Sequence, residues 1–315
     1  MIEVRHLTKR YGDTLAVDDL NFTIEKGRIY GFLGPNGAGK STTMNIITGY
    51  LASTDGSVTI NGHDILEDAE AAKKNIGYLP ELPPLYFDMT VKEYLDFVAE
   101  LKKIEKSLRA GYVKEVMEIT KTEEVSGRLI RNLSKGYRQR VGFAQAVLGY
   151  PEILILDEPT VGLDPKQIIE IRDLIKELGK KHTIILSSHI LSEISAVCDH
   201  VFIISHGKLV ASDSTENLLE RMTGAQEIEL LVKAEEDTAE TAIREIAQVE
   251  RCEKTESKED GAVQLLVTAK KDADVREAIY HTCVEHHMPI LEMKAASKSL
   301  EDVFLELTSQ EGGTK

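Results

Sequence analysis

The 315-residue chain contains few cysteines, and they form no recognisable pattern. Its three thiols, Cys198, Cys252 and Cys283, are odd in number, widely spaced and without a C-x-x-C pair. A disulfide framework needs paired cysteines and a structural zinc site needs closely spaced ligands, so neither is indicated. We expect these cysteines to be buried, unreactive thiols.

Long apolar runs and a secretory leader are also missing. No stretch approaches the roughly 18 consecutive apolar residues that a membrane-spanning helix needs. Residues 1–7 alternate between apolar and polar side chains, which is typical of an edge strand rather than of a signal peptide. We expect a cytoplasmic protein that reaches the inner face of the cell membrane only through a partner.

Positive charge is scarce, since 38 Lys and Arg face 53 Asp and Glu, for a formal net charge of −15. Such a balance argues against a general affinity for nucleic acid or for anionic lipid. The imbalance is greatest from Met222 onward, where 21 acidic residues accompany 11 basic ones. The turn-like residues 222–226 coincide with this shift and are predicted to separate two domains, residues 1–221 and 227–315.

The most informative pattern that is present is a glycine-rich loop of the form G-x-x-x-x-G-K-S. It follows an apolar strand predicted at residues 28–33, opens a helical stretch, and consists of Gly34, Pro35, Asn36, Gly37, Ala38, Gly39, Lys40, Ser41 and Thr42. Its backbone N–H groups can surround a phosphate, the helix presents its positive end, and Lys40 adds a cation. Ser41 is left to ligate Mg²⁺. The loop therefore predicts a nucleoside triphosphate site.

A second apolar run, residues 153–156, ends in two carboxylates, Asp157 and Glu158. The run is typical of a buried parallel strand. Asp157 can hold Mg²⁺ directly or through water, and Glu158 can take a proton from an attacking water. The pair favours hydrolysis of the nucleotide over transfer of its phosphate to a hydroxyl.

A second anion site is predicted between these motifs, at residues 132–140. Ser134 is predicted to be the N-cap of a helix. Its hydroxyl, the backbone at Gly136 and the positive helix end suit a phosphate. Because the loop around Lys40 already covers one nucleotide, we expect this second site to serve the nucleotide of another molecule.

The order of these motifs resembles the nucleotide-binding subunit of ATP-binding cassette (ABC) transporters, over about residues 1–220. The resemblance implies an α/β P-loop NTPase fold with a β-rich N-terminal subdomain and an inserted helical subdomain. It matches residues 34–42 to the Walker A loop and Tyr11 to the aromatic residue that stacks on adenine. It also matches Asp157 to the Walker B aspartate and Glu158 to the catalytic glutamate.

The resemblance extends to residues that complete a shared site. His189 is similar to the switch histidine, and Asp164 lies in a segment that looks like the D-loop. Ser134 and Gly136 match the signature that contacts the γ-phosphate across a head-to-tail dimer. The resemblance thus implies ATP and Mg²⁺ as cofactors and a second ATP-binding subunit as a partner.

The chain departs from the family pattern at two places. The signature has Lys135 and Tyr137 where Gly and Gln are usual, although its Ser and second Gly remain. Glu81 occupies the place of a Gln that ligates Mg²⁺, and a carboxylate can also ligate this ion while adding negative charge. Both departures are similar to a branch of bacterial exporter ATPases whose permeases are separate chains.

The helical subdomain is predicted at about residues 85–132, where this family meets its membrane subunit. Thr90 and Glu93 form a candidate capping box. The helix that follows has apolar residues at helical spacing, namely Val91, Tyr94, Leu95, Val98 and Leu101.

The tail alternates strand-like and helical signals in the order βαββαβ, which suggests a small α+β domain of ferredoxin-like type. Its strands are predicted at residues 228–232, 249–255, 263–267 and 289–291, and its helices at residues 240–247 and 273–285. An amphipathic closing helix is predicted at residues 299–308. A helper role in dimerisation and a purely stabilising role both stay open for this domain.

The sequence thus predicts an ATP-hydrolysing subunit that powers a separate integral membrane permease, in the export of an unidentified substrate. Two alternatives stay open. A soluble ABC-type ATPase acting on nucleic acid or ribosomes usually has long coiled coils or two cassettes in one chain, and neither is visible here. A regulatory module that senses ATP without useful turnover conflicts with the presence of both Glu158 and His189.

Overall fold

The computed structural model describes residues 1–217, 227–234, 236–255, 261–270 and 273–296. Contacts divide the chain into two compact units, one ending at Thr215 and the other beginning at Glu216. The boundary predicted at residues 222–226 and the closing helix predicted at residues 299–308 lie outside the described residues. No described helix has both the length and the apolar content to cross a bilayer.

The first unit contains ten strands and seven α-helices among its described residues. The strands are β1 (Ile2–Tyr11), β2 (Thr14–Ile24), β3 (Ile29–Leu33), β4 (Asp55–Ile60), β5 (His63–Asp64), β6 (Ile76–Leu79), β7 (Ile153–Leu156), β8 (Thr183–Ser188), β9 (His200–Ser205) and β10 (Lys208–Ser214). The helices are α1 (Lys40–Ile47), α2 (Ala69–Lys74), α3 (Val91–Leu101), α4 (Lys106–Ile119), α5 (Lys135–Val147), α6 (Pro165–Gly179) and α7 (Leu191–Ser195).

A six-stranded sheet in the order β10-β9-β3-β8-β7-β6 forms the centre of this unit. All its strands are parallel except β10, which pairs antiparallel with β9 at one edge. Every residue of β3, β7 and β8 is buried, as expected for apolar strands covered on both faces. The buried strand predicted at residues 153–156 is confirmed as β7.

A four-stranded antiparallel sheet in the order β2-β1-β4-β5 makes the N-terminal part β-rich. Three aromatic rings pack together where it meets the central sheet, with Phe22 of β2 against Phe32 of β3 and Phe202 of β9. The prediction of an edge strand at residues 1–7 is wrong, because β1 pairs with both β2 and β4. Alternating side chains report one buried face, but they carry no information on whether the backbone has one neighbour or two.

Helices α3 and α4 and two 3₁₀ turns lie between β6 and α5. The capping box is confirmed, since the Glu93 N–H donates to the Thr90 hydroxyl and the Thr90 N–H donates to the Glu93 carboxylate. The predicted apolar face is buried except for Leu101, which is 63% exposed. Leu101 follows Val91 by ten residues, so it lies about 80° from Val91 around the helix, at one edge of that face.

Among its described residues from 227 onward, the second unit has a four-stranded antiparallel sheet and two helices, in the chain order βαββαβ. Its elements are β11 (Glu227–Val232), α8 (Glu236–Arg244), β12 (Val249–Thr255), β13 (Val263–Ala269), α9 (Arg276–Glu285) and β14 (Ile290–Ala296). The strand order β12-β13-β11-β14 is the ferredoxin-like arrangement that the sequence predicted. Helix α8 begins four residues before the predicted residue 240, within an acidic stretch that suits a helix N-terminus.

Candidate nucleotide site

The predicted site residues gather at the carboxyl edge of the central sheet. Residues 34–42 follow β3, His189 follows β8, Asp157 and Glu158 follow β7, and Glu81 follows β6. These four strands are parallel neighbours, so their carboxyl ends meet at one edge. A cavity of about 370 Å³ lies there, with a lining that includes Asn36, Gly37, Gly39, Lys40, Ser41, Thr42, Glu81, Glu158 and His189.

The glycine-rich loop curls tightly before α1 begins at Lys40. Gly39 has φ 103°, a left-handed conformation, and a Cβ at this position would lie 2.5 Å from the Ala16 carbonyl oxygen. Only glycine fits both conditions without strain. The Ala38 N–H donates to the Pro35 carbonyl at 3.1 Å, which closes the turn. The N-terminal N–H groups of α1 therefore open onto the cavity, an arrangement that suits an anion.

The Lys40 ammonium group is buried and lies between the loop and a carboxylate. It donates to the Gly34 carbonyl at 2.7 Å and lies 3.5 Å from Glu158 Oε1. Lys40 is 5% exposed, so this ion pair is screened little by solvent. The arrangement places a cation at the mouth of the loop, where a terminal phosphate needs one.

Glu158 has an unusual backbone conformation. Its φ of 46° lies in the left-handed region, which costs a non-glycine residue about 1–3 kcal/mol. The Glu158 N–H donates to the Ser187 hydroxyl at 2.9 Å, and Glu158 Oε2 lies 3.0 Å from His189 Nδ1. The surrounding contacts thus hold a strained residue with its carboxylate between a lysine and a histidine.

Asp157 accepts two hydroxyl donors at Oδ1, from Ser187 at 2.6 Å and from Ser41 at 3.2 Å. Among the described residues no group of three or more His, Cys, Asp and Glu is arranged to hold a metal alone. A nucleotide-bound Mg²⁺ needs only one or two protein ligands beside phosphate and water oxygens. The neighbouring oxygens of Ser41 and Asp157 fit that kind of ion, and the exposed Glu81 lines a cavity together with both of them.

A second cavity of about 670 Å³ adjoins the first, since Ser41 and Glu81 line both, and Asp157 lies in the wall of the second. Burial and the negative charge of Asp157 raise the pKa of Tyr78 in its wall, and the Tyr78 hydroxyl donates to Asn45. A third cavity of about 520 Å³ shares two wall residues with the second. The charged residues that line this third cavity are Glu70, Lys73, Lys74, Lys102 and Lys103.

Tyr11 does not line the phosphate cavity, although its ring is half-exposed. The Lys9 ammonium lies over this ring, 5.3 Å from its centroid, and donates to the Ala52 carbonyl at 2.7 Å. A base stacked on Tyr11 must therefore use the other face of the ring or displace Lys9. The sequence pattern contained no sign of this cation.

Ser134, Gly136 and Asp164 also lie outside the phosphate cavity of their own chain. The prediction that Ser134 caps a helix is confirmed, because its hydroxyl accepts the Tyr137 N–H at the start of α5. Asp164 caps α6 by accepting the Gln167 N–H at 2.9 Å. A Cβ at Gly136 would lie 2.6 Å from the Gln167 side chain, so the starts of α5 and α6 pack closely.

Two residues near the cavity were missed by the sequence reasoning. Ser187 contacts both Asp157 and Glu158, and Glu193 is a buried acid on α7. Ser187 could have been found from its position two residues before His189. Glu193 carries no motif signal, because its contacts depend on how α7 folds back onto the sheet.

Comparison with known proteins finds relatives along the whole chain. A family model described as ABC transporter matches residues 17–161. The bacitracin transport ATP-binding protein BcrA of Bacillus licheniformis is 35% identical over 316 residues, covering 100% of this chain and 98% of that protein. The Nod factor export ATP-binding protein I of Cupriavidus pinatubonensis is 31% identical over 314 residues, covering 99% and 91%.

Solved structures agree as well. A bacterial ABC transporter cassette solved in a dimeric form is 26% identical, with a TM-score of 0.62. The match covers 68% of this chain and 99% of that one. The likeness is therefore to a whole cassette, and it leaves about a third of this chain unmatched.

Proposed function

The chain belongs to the ATP-binding proteins of ABC transporters, and on that premise we propose a mechanism for it. Two copies of the chain enclose two Mg·ATP between them, and hydrolysis of this ATP drives export through a separate permease. The chain is an ATPase that powers a membrane transporter. The observation that carries the proposed mechanism is the contact of the buried Glu158 carboxylate with both Lys40 and His189.

In the proposed reaction a water molecule attacks the γ-phosphorus of ATP, and ADP and phosphate leave. Glu158 acts as general base, because its carboxylate can accept the proton of that water. His189 orients the water and the γ-phosphate. Lys40 and the backbone N–H groups of the glycine-rich loop stabilise charge on the phosphates.

We assign the Mg²⁺ ligands to Ser41 and Asp157, with Glu81 as a third candidate. When bound, the ion neutralises phosphate charge during the transfer. The support is the 3.2 Å separation of the Ser41 and Asp157 oxygens and the position of Glu81 in the same cavity. Tyr11 is assigned to the adenine, on the ring face opposite Lys9.

The second nucleotide contact is assigned to the partner copy. Ser134 is exposed and Gly136 is buried at the start of α5, and both lie outside the cavity that Lys40 lines. A helix start with free N–H groups attracts a phosphate, so these residues suit the γ-phosphate of the nucleotide held by another chain. Asp164 lies at the neighbouring start of α6 and would face the same boundary.

We assign the binding site of the permease to the grooves beside α3, which are the second and third cavities. The second and third cavities run from Glu81 to the four lysines, and Tyr50, Leu82 and Leu101 expose apolar side chains there. Exposed apolar residues beside a charged rim are typical of a protein interface. Docking here places the chain at the cytoplasmic face of the membrane.

Export is favoured by the relatives, since one is named for the export of Nod factor. We assign residues 1–221 to an ATP-binding domain, with its helical subdomain at about residues 85–132, and residues 227–315 to an accessory domain. Two compact units support that division.

Substitution of Glu158 tests the proposed reaction. Glu158→Gln keeps the size of the side chain but cannot accept the proton, so steady turnover of Mg·ATP should fall by about 10²–10⁴ while ATP still binds. Lys40→Ala is the matched control, because it should weaken nucleotide binding itself. Turnover of the Glu158→Gln variant close to that of the parent would remove Glu158 from the role of general base.

A further inference from the structure

Glu193 is a buried acid that the proposed reaction does not use. It lies on α7, four residues after His189, and is 5% exposed. Its Oε2 atom accepts two hydroxyl donors, from Thr160 at 2.5 Å and from Ser188 at 3.1 Å. Among the described residues no Lys, Arg or His forms an ion pair with it, so its partners are these hydroxyls.

The two donors belong to the two loops that carry the reacting side chains. Thr160 follows Glu158 by two residues, and Ser188 immediately precedes His189. One carboxylate oxygen therefore joins the loop after β7 to the loop after β8. The Ser188 hydroxyl also accepts the Ile190 N–H at 3.0 Å, which fixes the turn on the other side of His189.

Other contacts join the same two loops from the side of the sheet. Ser187 donates to Asp157 and accepts the Glu158 N–H. His189 and Glu158 meet through their side chains at 3.0 Å. In the sequence Ser187 and Ser188 precede His189 and Glu193 follows it, so hydrogen-bonded residues flank the histidine on both sides.

We propose that Glu193 is a positioning residue that sets the spacing of Glu158 and His189. This inference rests on the proposed function, in which those two side chains act on the attacking water. A buried carboxylate is expensive to desolvate, and two hydroxyl donors offset that cost only while both loops keep their places. Glu193 does not line the cavity that Lys40 lines; it acts through Thr160 and Ser188.

The split between kcat and KM tests this role. Glu193→Ala removes both hydrogen bonds and should lower kcat by about 10-fold or more, because bonds to a carboxylate are the stronger kind. KM for ATP should stay within about 2-fold, since the nucleotide is held by residues 34–42, which Glu193 does not contact. Glu193→Gln keeps an oxygen that accepts both hydroxyls and should restore kcat to within about 3-fold of the parent.

Two further variants distinguish loss of this contact from a general loss of stability. Thr160→Val keeps the shape and removes one donor, and in combination with Glu193→Ala it should add little to the effect of the single change. Thr183→Val is the matched control, because Thr183 is equally buried but lies at the opposite end of β8, where its hydroxyl accepts the Gly27 N–H. It should leave kcat and KM close to those of the parent.

Amide hydrogen exchange in the nucleotide-free chain provides a readout that does not depend on hydrolysis. Glu193→Ala should speed exchange at residues 160–161 and 189–190 while leaving residues 38–44 unchanged. Equal kcat loss in the Ala and Gln variants, a rise in KM without a fall in kcat, or unchanged exchange at both loops would each overturn the proposal. A parent that binds but does not hydrolyse ATP would instead overturn the proposed function, and the exchange data would still decide the role of Glu193.

Discussion

Glu158 and Glu81 are two acidic residues at the same cavity, and their surroundings suit them to different tasks. Glu158 is 7% exposed and paired with Lys40 and His189. Its left-handed φ is tolerated because its N–H and both carboxylate oxygens have partners. Glu81 is exposed and lines the same cavity as Ser41. Burial suits Glu158 to proton transfer and exposure suits Glu81 to an ion that arrives with the nucleotide.

A magnesium titration tests Glu81. If its carboxylate is a hard oxygen ligand, Glu81→Ala should raise the Mg²⁺ concentration for half-maximal hydrolysis several-fold, with little change in KM for ATP at saturating Mg²⁺. Glu81→Gln is the matched control and should behave mildly, because its amide oxygen still coordinates. Identical half-saturation in the parent and the Ala variant would leave Ser41 and Asp157 as the protein ligands.

At the scale of elements, the starts of α5 and α6 form one compact corner. Ser134 caps α5, Asp164 caps α6, and the Gln167 side chain fills the space that a side chain at Gly136 would need. Lys135 reaches across to Gly162, where its Nζ would lie 2.1 Å from a Cβ. A side chain at Gly136 or Gly162 would therefore displace the end of Gln167 or of Lys135. Ser134 and Asp164 are exposed at the surface of this corner, where a second chain can reach them.

Closure of the proposed dimer tests this corner. In a Glu158→Gln background, Mg·ATP should convert monomers to dimers, as followed by light scattering. Adding Ser134→Arg should abolish that conversion, because a bulky side chain at the helix start blocks the phosphate of the partner's nucleotide. Thr90→Arg makes the same change at the capped start of α3 and should leave association intact. Closure that persists with the Ser134→Arg change would exclude a shared nucleotide site here.

At the scale of the whole molecule, charge and apolar surface are unevenly distributed. The net charge is −15, yet four lysines line one cavity beside α3. Leu101 stands in the same wall and is 63% exposed. On this surface an exposed apolar side chain is surrounded by lysines, an arrangement that suits a protein partner. The acidic protein as a whole attracts anionic lipid poorly. A protein partner therefore explains this face better than a bare membrane does.

Recruitment to membranes tests the docking face. The chain should sediment with membranes only when its permease is co-expressed, and Leu101→Ser should lower that fraction several-fold without changing basal ATP hydrolysis. Leu108→Ser is the matched control, since Leu108 is also exposed but lies on α4, outside the grooves. Sedimentation with protein-free liposomes of anionic lipid would contradict this account.

Much of the molecule follows from local patterns. The glycine-rich loop, the strand that ends in Asp157, the cap at Ser134 and the βαββαβ order of the tail all depend on residues close together in the chain. Backbone conformation within a few residues suffices to form a phosphate loop or a helix cap, so the sequence contains the information directly.

Other features depend on contacts between distant parts of the chain. Thr160 meets Glu193 across 33 residues, the interior place of β1 depends on β4, and the left-handed turn at Glu158 is held by Ser187 from a neighbouring strand. None of these leaves a periodic or spaced signal, because burial and hydrogen bonding there arise only when strands are placed side by side. Residue types thus define the chemistry that the chain can perform, whereas the packing of β7, β8 and α7 sets the spacing of Glu158 and His189.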